Sequence, residues 1–461
     1  MADRTHRALQ SILDSAGWQD APVDALQVTP SSNVLPTALP IGPLAGATLG
    51  ATGLAAAVLW QTRSGKLQQV SVDLRAATLA MTSATYLRVN GQAVKSWDPI
   101  TGYYPVRDGR WVYLHGNFAH LRDGLLKLFG IANDPAALRK ALQTWSAEDV
   151  EAAAGERGLC GVAVRTRAEW ETHPQALATA TLPLIEISRI GDAPPRPLKG
   201  GKRPLSGIRV LDLSRVIAGP MTARTLAEHG ATVMQVGAAH LPSIESLVID
   251  TGFGKYSCTV NLDLAAGVKR LHSLVDDADV FLNAYRPGTL ERRGFPPAAM
   301  AQRRPGIIYV TITAFSRAGP WAQRRGYDTL VAAASGLTWS GDGDPARLPC
   351  QPLDYLTGYL GAFGAMRALQ RRAQEGGSWH VRLSLERTSA WIREMTDTLG
   401  REPSMAEVVP PAAAIDDLYA ESSSPFGTLR HLKPVVQMSD TPARWEQGPV
   451  PLGSDPAVWP A

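Results

Sequence analysis

An aspartate at the start of a helix of small residues is the first feature of the sequence that could carry out chemistry. Asp354 lies in "PLDYLTGYLGAFGAMRALQRR", which begins at Pro352. A carboxylate there is stabilised by the positive end of the helix dipole, so it could serve as a catalytic group. It could also only cap the helix, which is a common role for aspartate.

The helix that carries Asp354 has a second copy early in the chain. "PLAGATLGATGLAAAVLWQTR", from Pro43, shares the initial Pro-Leu, a later Thr, the small-residue middle and the final Arg, but it has Ala45 in place of Asp354. A strand follows each copy, "VSVDL" from Val70 and "VRLSL" from Val381, with a slightly longer turn in the later copy. The first copy builds the helix without a carboxylate, so we expect Asp354 to be catalytic and the earlier copy to be vestigial.

Cationic and aromatic residues form a second candidate group. Arginine forks bind phosphate bidentately, tyrosine can stack on an adenine ring, and a Pro-Gly turn exposes backbone N–H groups. An alternative is that the cations are a solvated basic rim and that Lys255 is an ordinary turn lysine. The candidates are Lys255, Tyr285, Arg286, Arg292, Arg325 and Tyr327.

Two further polar residues have less certain roles from their positions alone. His115 stands at a strand end in "YLHGNF" and is a candidate site residue. Asp328 follows Tyr327, where it could bond to backbone groups in the turn rather than take part in chemistry.

Composition excludes several classes of protein. A formal charge of +4 over 461 residues is too small to indicate a nucleic-acid-binding protein. The three cysteines are far apart and the nine histidines are scattered, so we predict no disulfide framework, no metal and a reduced, cytoplasmic setting. The sequence has no Gly-x-Ser-x-Gly element, which disfavours a serine hydrolase. No signal-peptide core is evident, and "AGATLGATGLAAAVLW" is short for a membrane span, so we predict a buried helix and no membrane association.

The elements that position the candidates follow a Pro/Gly/Lys-rich linker, "PPRPLKGGKRPL". After it, short buried strands such as "GIRVLDLS" and "DVFLNAY" alternate with helices, which predicts an α/β fold with a doubly wound parallel sheet. Ligands of such sheets bind beyond the carboxyl ends of the strands. No GxGxxG follows the first strand, so a standard dinucleotide site is not expected. Before the linker, an Asp-Gly pair between two β-rich runs predicts a hairpin in a smaller α+β domain.

Four runs of sequence resemble the class III CoA-transferases, the family that includes formyl-CoA transferase and carnitine CoA-transferase. They occur in family order over about residues 205–390: "GIRVLDLSRVIAGPMTARTLAEHGATVMQV", "NLDLAAGVKRLHSLVDDADVFLNAYRPGTLERRGF", "RRPGIIYVTITAFSRAGPWAQRRGYDTL" and "PLDYLTGYLGAFGAMRAL". Residues 40–200 are similar, more loosely, to the carboxyl half of a family member. The resemblance implies a rearranged tandem layout, an interlocked architecture and a degenerate first half.

The resemblance also implies a reaction and a set of site residues. It places the catalytic aspartate at Asp354, which would attack an acyl-CoA thioester and carry CoA as an aspartyl thioester to an acceptor carboxylic acid. Val216 and Ile217 match positions that line the thioester end. The resemblance assigns contacts with coenzyme A to Tyr285, Arg286, Arg292, Arg325 and Tyr327. The substrates expected are acyl-CoA and carboxylic acids. The family expectation is a homodimer, although an internally duplicated chain could act as a monomer.

Departures from the family pattern keep other functions open. They lie at "QVGAAHLPS" after the second strand, at Ala284 and around Lys255 in "GFGKYSC". These favour a non-catalytic acyl-CoA-binding protein, and a CoA-dependent isomerase or lyase is a further alternative. Racemases of this family have a histidine in the place of Tyr327, which argues against racemase chemistry.

We expect six segments along the chain. They are residues 1–95, with the N-terminal helix and the degenerate helix–strand unit; 96–190, the small α+β domain; 191–206, the linker; 207–349, the Rossmann-like CoA-binding domain; 350–395, the aspartate helix–strand unit; and 396–461, the C-terminal tail.

Overall fold

The computed structural model describes residues 2–94, 97–402 and 406–460. The expected boundary between the first two segments, at residues 95–96, and residues 403–405 of the tail lie outside the described residues. The described helices are α1 (Ala2–Ser15), α2 (Ile41–Ser64), α3 (Leu74–Ala80), α4 (Ser83–Tyr86), α5 (Ala119–Phe129), α6 (Pro135–Leu142), α7 (Ala147–Glu156), α8 (Arg167–Glu171), α9 (Pro174–Thr179), α10 (Ala218–Glu228), α11 (Glu245–Thr251), α12 (Ala265–Val275), α13 (Pro297–Arg303), α14 (Asp328–Ala334), α15 (Pro352–Glu375) and α16 (Leu385–Leu399).

Strands in this part of the chain form four sheets. They are β1 (Leu26–Thr29), β2 (Val70–Asp73), β3 (Arg88–Val89), β4 (Gln92–Ala93), β5 (Gly102–Pro105), β6 (Trp111–Leu114), β7 (Gly161–Ala163), β8 (Glu186–Gly191), β9 (Arg209–Leu213), β10 (Thr232–Gly237), β11 (Lys255–Thr259), β12 (Val280–Asn283), β13 (Ile308–Thr313), β14 (Ser378–Ser384), β15 (Tyr419–Ser424), β16 (Gly427–Leu432) and β17 (Gln437–Met438).

A seven-stranded sheet is the centre of the fold, with strand order β11-β10-β9-β12-β13-β14-β8. All neighbouring pairs are parallel except β14 with β8, which is antiparallel. The doubly wound parallel sheet predicted from the alternation of strands and helices is therefore confirmed. The chain order reverses between β9 and β12, so a crevice opens there at the carboxyl ends of the strands.

The later helix–strand unit belongs to this sheet, because β14 pairs with β13 in parallel. The strand at the other edge, β8, comes from the chain that precedes the linker. The large sheet therefore draws on three of the expected segments.

The earlier helix–strand unit is a separate, smaller version of the same arrangement. Strands β1 and β2 pair in parallel around the crossover helix α2, and β17 adds an antiparallel edge. Helices α2 and α15 each contain 24 residues, and they contact each other where Thr52 Oγ1 donates to the carbonyl of Tyr359 at 3.3 Å. The repeated segment is thus folded in both places.

Helix α2 is longer than the apolar run suggested, and it is long and apolar enough to cross a membrane by length and composition. Of its most apolar 18-residue window, 89% is buried inside the protein. It packs against α1, α3 and α15. This placement is that of a core helix, as the small-residue composition predicts.

The small domain packs over the carboxyl edge of the sheet. Its strands β5 and β6 form the predicted antiparallel hairpin, with β7 on the other side of β6. Gly109 has a φ of 75° in the hairpin loop, which is a conformation that glycine adopts without strain. The loop after β6, from His115 to Phe118, reaches toward the crevice of the large sheet.

Candidate active site

A cavity of about 320 Å³ occupies the crevice between β9 and β12. Its walls come from the loop after β9, the loop after β12, the loop before α14 and the small domain. Seven of the residues predicted from the sequence line it: Val216, Ile217, Tyr285, Arg286, Arg325, Tyr327 and Asp354. The fold thus brings together residues that are up to 138 positions apart in the sequence, from Val216 to Asp354.

Asp354 lies in the first turn of α15, and its residue surface is only 6% exposed. Gln351 is the N-cap residue, so Asp354 does not fill the capping role that was its structural alternative. Burial raises the pKa of the Asp354 carboxyl to about 7, and a hydrogen bond from the backbone of Ala218 acts in the opposite direction. The Asp354 carboxyl is therefore largely buried at the wall of a cavity.

A second carboxyl, that of Asp328, holds the start of α15 in place. Its Oδ2 accepts hydrogen bonds from the backbone N–H groups of Leu353 at 2.7 Å and Asp354 at 3.0 Å. These are two of the N–H groups that a helix leaves without intrahelical partners. Burial and the neighbouring Asp354 carboxyl raise the pKa of Asp328. Asp328 therefore has the structural role that the sequence suggested, although it caps α15 and not the turn in which it stands.

Close packing of α10 against α15 sets the distance between Asp354 and the backbone of Ala218. A Cβ atom added at Gly358 would lie 2.7 Å from Cβ of Met221 and 2.8 Å from the carbonyl oxygen of Ala218. Thr222 Oγ1 donates to the carbonyl of Gly358 at 2.8 Å. Because Gly358 is one turn after Asp354, its lack of a side chain lets the N-terminus of α10 approach the carboxyl.

Lys255 is placed differently from the sequence prediction. It begins strand β11, is 1% exposed, and donates from Nζ to Asp212 Oδ2 and to the carbonyl of Pro220, both at 2.8 Å. Burial lowers its pKa, while the Asp212 carboxylate opposes that shift. It does not line the cavity, so the expected phosphate contact is corrected: Lys255 anchors the first turn of α10 from behind.

Five arginines line the cavity: Arg215, Arg286, Arg293, Arg324 and Arg325. Among the residues that the structure describes, Arg293 pairs with Asp263 and Arg324 donates to the carbonyl of Glu151, whereas Arg215, Arg286 and Arg325 make no ion pair with a carboxylate. The nearest polar partner of Arg325 is His120 Nε2, at 3.4 Å. Burial and the nearby Arg325 guanidinium lower the pKa of Arg286. Uncompensated guanidinium groups that lie close together are suited to bind phosphate.

Arg292, the remaining predicted contact, is exposed and does not line the cavity. Its neighbour Arg293 does, but Arg293 is paired with Asp263 at 2.7 Å. Arg292 instead folds back toward the tight turn, where a Cβ at Gly288 would lie 2.7 Å from its Nη1.

A second cavity of about 60 Å³ meets the first at Asp354. The two share Val216, Ile217, Tyr327 and Asp354. The other walls of the small cavity come from four parts of the chain, namely Ala84 and Thr85; Trp97, His115 and Asn117; Ile244 and Leu247; and Asp328, Thr329 and Gln351. Asp354 therefore faces two spaces of very different size.

Ser83 and Ala84, from the earlier helix–strand unit, belong to a buried hydrogen-bond network beside Asp354. This network supports one wall of the small cavity. Ser83 Oγ donates to Asp250 Oδ2 at 2.7 Å, and the backbone N–H of Ala84 donates to the hydroxyl of Tyr355 at 3.2 Å. Arg224 lies 3.7 Å from the other oxygen of Asp250. Tyr355 directly follows Asp354, so this network links Ser83 and Ala84 of the earlier unit to the start of α15.

Sequence reasoning missed Arg215 and Phe118 in the large cavity, and Trp97 and Asn117 in the small one. Arg215 precedes the two residues that were identified, and its guanidinium lies 5.6 Å from the ring centroid of Phe118. The small-domain residues come from the loops around the hairpin, and the sequence carries no signal for where that domain packs. His115 was a candidate from its strand-end position. Its ring stacks on Tyr327 with 4.2 Å between the centroids.

Comparison with known proteins identifies the architecture around this site. Residues 12–191 and 205–428 match a family described as CoA-transferase family III. The chain is 30% identical over 320 residues to an acetyl-coenzyme A transferase, nodX, of Hypoxylon pulicicidum, which covers 64% of this chain and 54% of that protein. It is 28% identical over 470 residues to an acyl-CoA transferase of Gibberella moniliformis, which covers 83% of this chain and 81% of that protein.

The relation to solved structures is partial. A crystal structure of a CAIB/BAIF family protein from Brucella suis matches with 25% identity and a TM-score of 0.40, over 50% of this chain and 65% of that one. The chain spans about half the length of the first of the two curated relatives above.

Proposed function

Because the chain belongs to the family III CoA-transferases, we propose that it moves coenzyme A between carboxylic acids through a covalent intermediate on Asp354. One observation carries the proposal: the Asp354 carboxyl lies where a large cavity with cationic walls meets a small one. The first offers cationic groups for the phosphates of a nucleotide thioester, and the second has room for a small acid.

The reaction begins when an oxygen of the Asp354 carboxylate attacks the thioester carbonyl of an acyl-CoA donor. The carbon–sulfur bond breaks, CoA leaves as its thiolate, and a mixed anhydride forms between the acyl group and Asp354. The thiolate then attacks the aspartyl carbonyl, which releases the donor acid and leaves an aspartyl-CoA thioester. The acceptor carboxylate repeats the two steps in reverse order, which regenerates the Asp354 carboxylate. This is nucleophilic catalysis by a carboxylate, and no net proton transfer is needed.

The surroundings of Asp354 suit each requirement of this reaction. The tetrahedral intermediates carry an oxyanion, and Ala218 and Gly219, in the first turn of α10, line the cavity, so we assign its stabilisation to the N–H groups that a first helical turn leaves without intrahelical partners. The low exposure of Asp354 keeps water away from the anhydride. We assign the phosphates of CoA to Arg215, Arg286 and Arg325, and the face of Tyr285 to its adenine ring.

The test is to trap the intermediate. The protein is incubated with acyl-CoA donors and hydroxylamine, which converts an activated aspartyl carbonyl to a hydroxamate, and the modified residue is located by mass spectrometry. We expect modification at Asp354 in the wild type and none in Asp354→Asn. The Asp14→Asn variant, changed at an exposed residue of α1, is the matched control and should be modified like the wild type.

Other outcomes would identify the alternative functions. Bound acyl-CoA without modification, across donors of all chain lengths, would indicate a binding protein and not a transferase. An isomerised or cleaved acyl-CoA in the absence of any acceptor acid would indicate an isomerase or lyase.

A further inference from the structure

The small cavity beside Asp354 points to the class of acid that the enzyme accepts. We propose that it is the acyl subsite, and that it selects short monocarboxylic acyl groups of about two to four carbons. The inference rests on the proposed function and deepens it, since nothing in the transfer reaction itself limits the length or the charge of the acyl chain.

Volume sets the length limit. A cavity needs about 10–15 Å³ on this measure for each water-sized group that it holds. The cavity volume of about 60 Å³ therefore corresponds to roughly four to six non-hydrogen atoms. Acetyl, propionyl and butyryl groups fit within that number. An acyl chain of six or more carbons exceeds it and would have to displace the wall.

The chemistry of the wall sets the charge. Its apolar part includes Val216, Ile217, Ile244 and Leu247, and the ionisable carboxyls that the described part of the chain contributes to it are those of Asp328 and Asp354. Among the described residues no lysine or arginine lines it. Arg347 lies over the Trp97 ring at 4.2 Å but is not part of the wall. A second carboxylate on the acyl chain would be desolvated without a cationic partner, which is costly.

A neutral polar group completes the subsite. The His115 side chain lines the small cavity, and within the described part of the chain its Nδ1 has no hydrogen-bond partner. Burial, followed by the Arg347 charge, lowers the pKa of His115 to about 3, so the imidazole is uncharged at neutral pH. A neutral imidazole adds no positive charge to the wall, so His115 gives a second carboxylate on the acyl chain no cationic partner.

The cavity has its own rim at the surface. Thr85 is exposed, and Trp97 and Asn117 are half-buried. These three residues lie on the side of the small domain and the first half of the chain, whereas the arginines assigned to CoA line the large cavity. An acid could therefore exchange through this rim while CoA stays bound.

The experiment compares acetyl-, butyryl-, hexanoyl-, octanoyl- and succinyl-CoA as donors to one acceptor acid, by kcat/KM. We expect kcat/KM to fall at least about tenfold from butyryl- to octanoyl-CoA, and succinyl-CoA to be about tenfold or more worse than butyryl-CoA. Leu247→Ala enlarges the small cavity and should raise the hexanoyl-to-acetyl ratio of kcat/KM about tenfold. Leu241→Ala, which removes the same atoms from a residue that lines only the large cavity, should leave that ratio unchanged.

A second variant keeps the proposal testable if Leu247→Ala fails to fold. Ala84→Leu adds side-chain volume at the half-buried rim and should lower the butyryl-to-acetyl ratio, the opposite direction from Leu247→Ala. If the folded variants transfer CoA with the wild-type chain-length profile, or if succinyl-CoA is the best donor, the subsite assignment is overturned while the transferase function stands. If no donor supports either transfer or modification of Asp354, both proposals fall together.

Discussion

The chain contains two copies of one helix–strand unit, and they differ in what lies against the helix. In the earlier unit, the glycines of α2 face their own strands: a Cβ at Gly50 would lie 2.7 Å from Leu26, and one at Gly53 would lie 2.5 Å from Val70. In the later unit, Gly358 of α15 faces α10, which comes from the large sheet. The later helix also packs on its own strand, since a Cβ at Gly364 would lie 2.6 Å from Val381, but its Gly358 faces the N-terminal part of α10 in addition.

The comparison shows why only one copy holds a carboxylate. Ala45 is fully buried and lines neither cavity, so a charge there would have neither solvent nor a partner. Asp354 has a cavity on each side, Asp328 behind its backbone, and the start of α10 beside its carboxyl. The carboxylate that we propose as the nucleophile is thus present in the copy whose helix start borders both cavities.

Moving the carboxylate between the copies should produce the largest effect. We expect Asp354→Asn to lose transfer activity by about 10⁴-fold or more, because it removes the nucleophile. The double variant Asp354→Ala with Ala45→Asp should stay equally inactive, since position 45 has no substrate space. Steady-state transfer assays, with CoA binding by calorimetry as the folding control, check both. Activity restored by Ala45→Asp would show that the earlier unit is also a competent site.

The next largest effect should come from removing Lys255, which anchors α10 through Asp212 and the carbonyl of Pro220. The described residues of the earlier unit supply no such anchor to α10. Lys255→Met leaves Asp212 buried without its cation, so we expect the free energy of unfolding to fall by about 3–5 kcal/mol. Denaturant unfolding measures it, and Lys269→Met on the exposed face of α12 serves as the control. A loss below about 1 kcal/mol, together with a raised KM for acyl-CoA, would instead return Lys255 to the phosphate site.

Adding a methyl group to one glycine of each helix separates stability from chemistry. Gly358→Ala and Gly53→Ala should each cost about 1–3 kcal/mol of unfolding free energy, because both introduce overpacking. Only Gly358→Ala should also lower kcat, by about tenfold or more, since it pushes the Ala218 backbone from Asp354. Equal kcat values in the two folded variants would contradict the role assigned to α10.

The smallest expected effect is the dependence of kcat/KM and of stability on pH, which tests the environment of the Asp354 carboxyl. The nucleophile must be ionised, and its pKa lies at about 7, so kcat/KM should fall about tenfold per unit as the pH drops below that value. The raised pKa means that the folded state holds the proton more tightly than the unfolded state. The wild type should therefore lose stability relative to Asp354→Asn as the pH rises from 3.8 to about 7. A kcat/KM that is flat from pH 5 to 8 would indicate a carboxylate with an ordinary pKa.

Local patterns predicted much of the large sheet. The strands around Arg209, Thr232, Val280 and Ile308 could be predicted because short apolar runs alternate with helices. Strand β11 was missed, because "GFGKYS" has the composition of a turn. Burial of a lysine at its start depends on Asp212, a partner 43 residues away that no local pattern reveals.

Some residues of the candidate site could also be predicted from local sequence patterns, and others could not. Asp354, Tyr285 and Tyr327 stand next to recognisable strand or helix ends, so their positions could be predicted. Which of the neighbouring arginines faces the cavity depends on the turn at Gly288, whose φ is 79°, and a sequence does not give that orientation. The small cavity could not be predicted, since its walls come from parts of the chain that meet only in the folded protein.

The hydrogen bonds from Ser83 to Asp250 and from Ala84 to Tyr355 have a consequence for how such a duplicated chain can evolve. A spare copy that has lost its own chemistry is ordinarily free to drift. Here a substitution near Ser83 would act one residue from the proposed nucleophile, so we expect the earlier unit to be constrained by the site that we propose at Asp354.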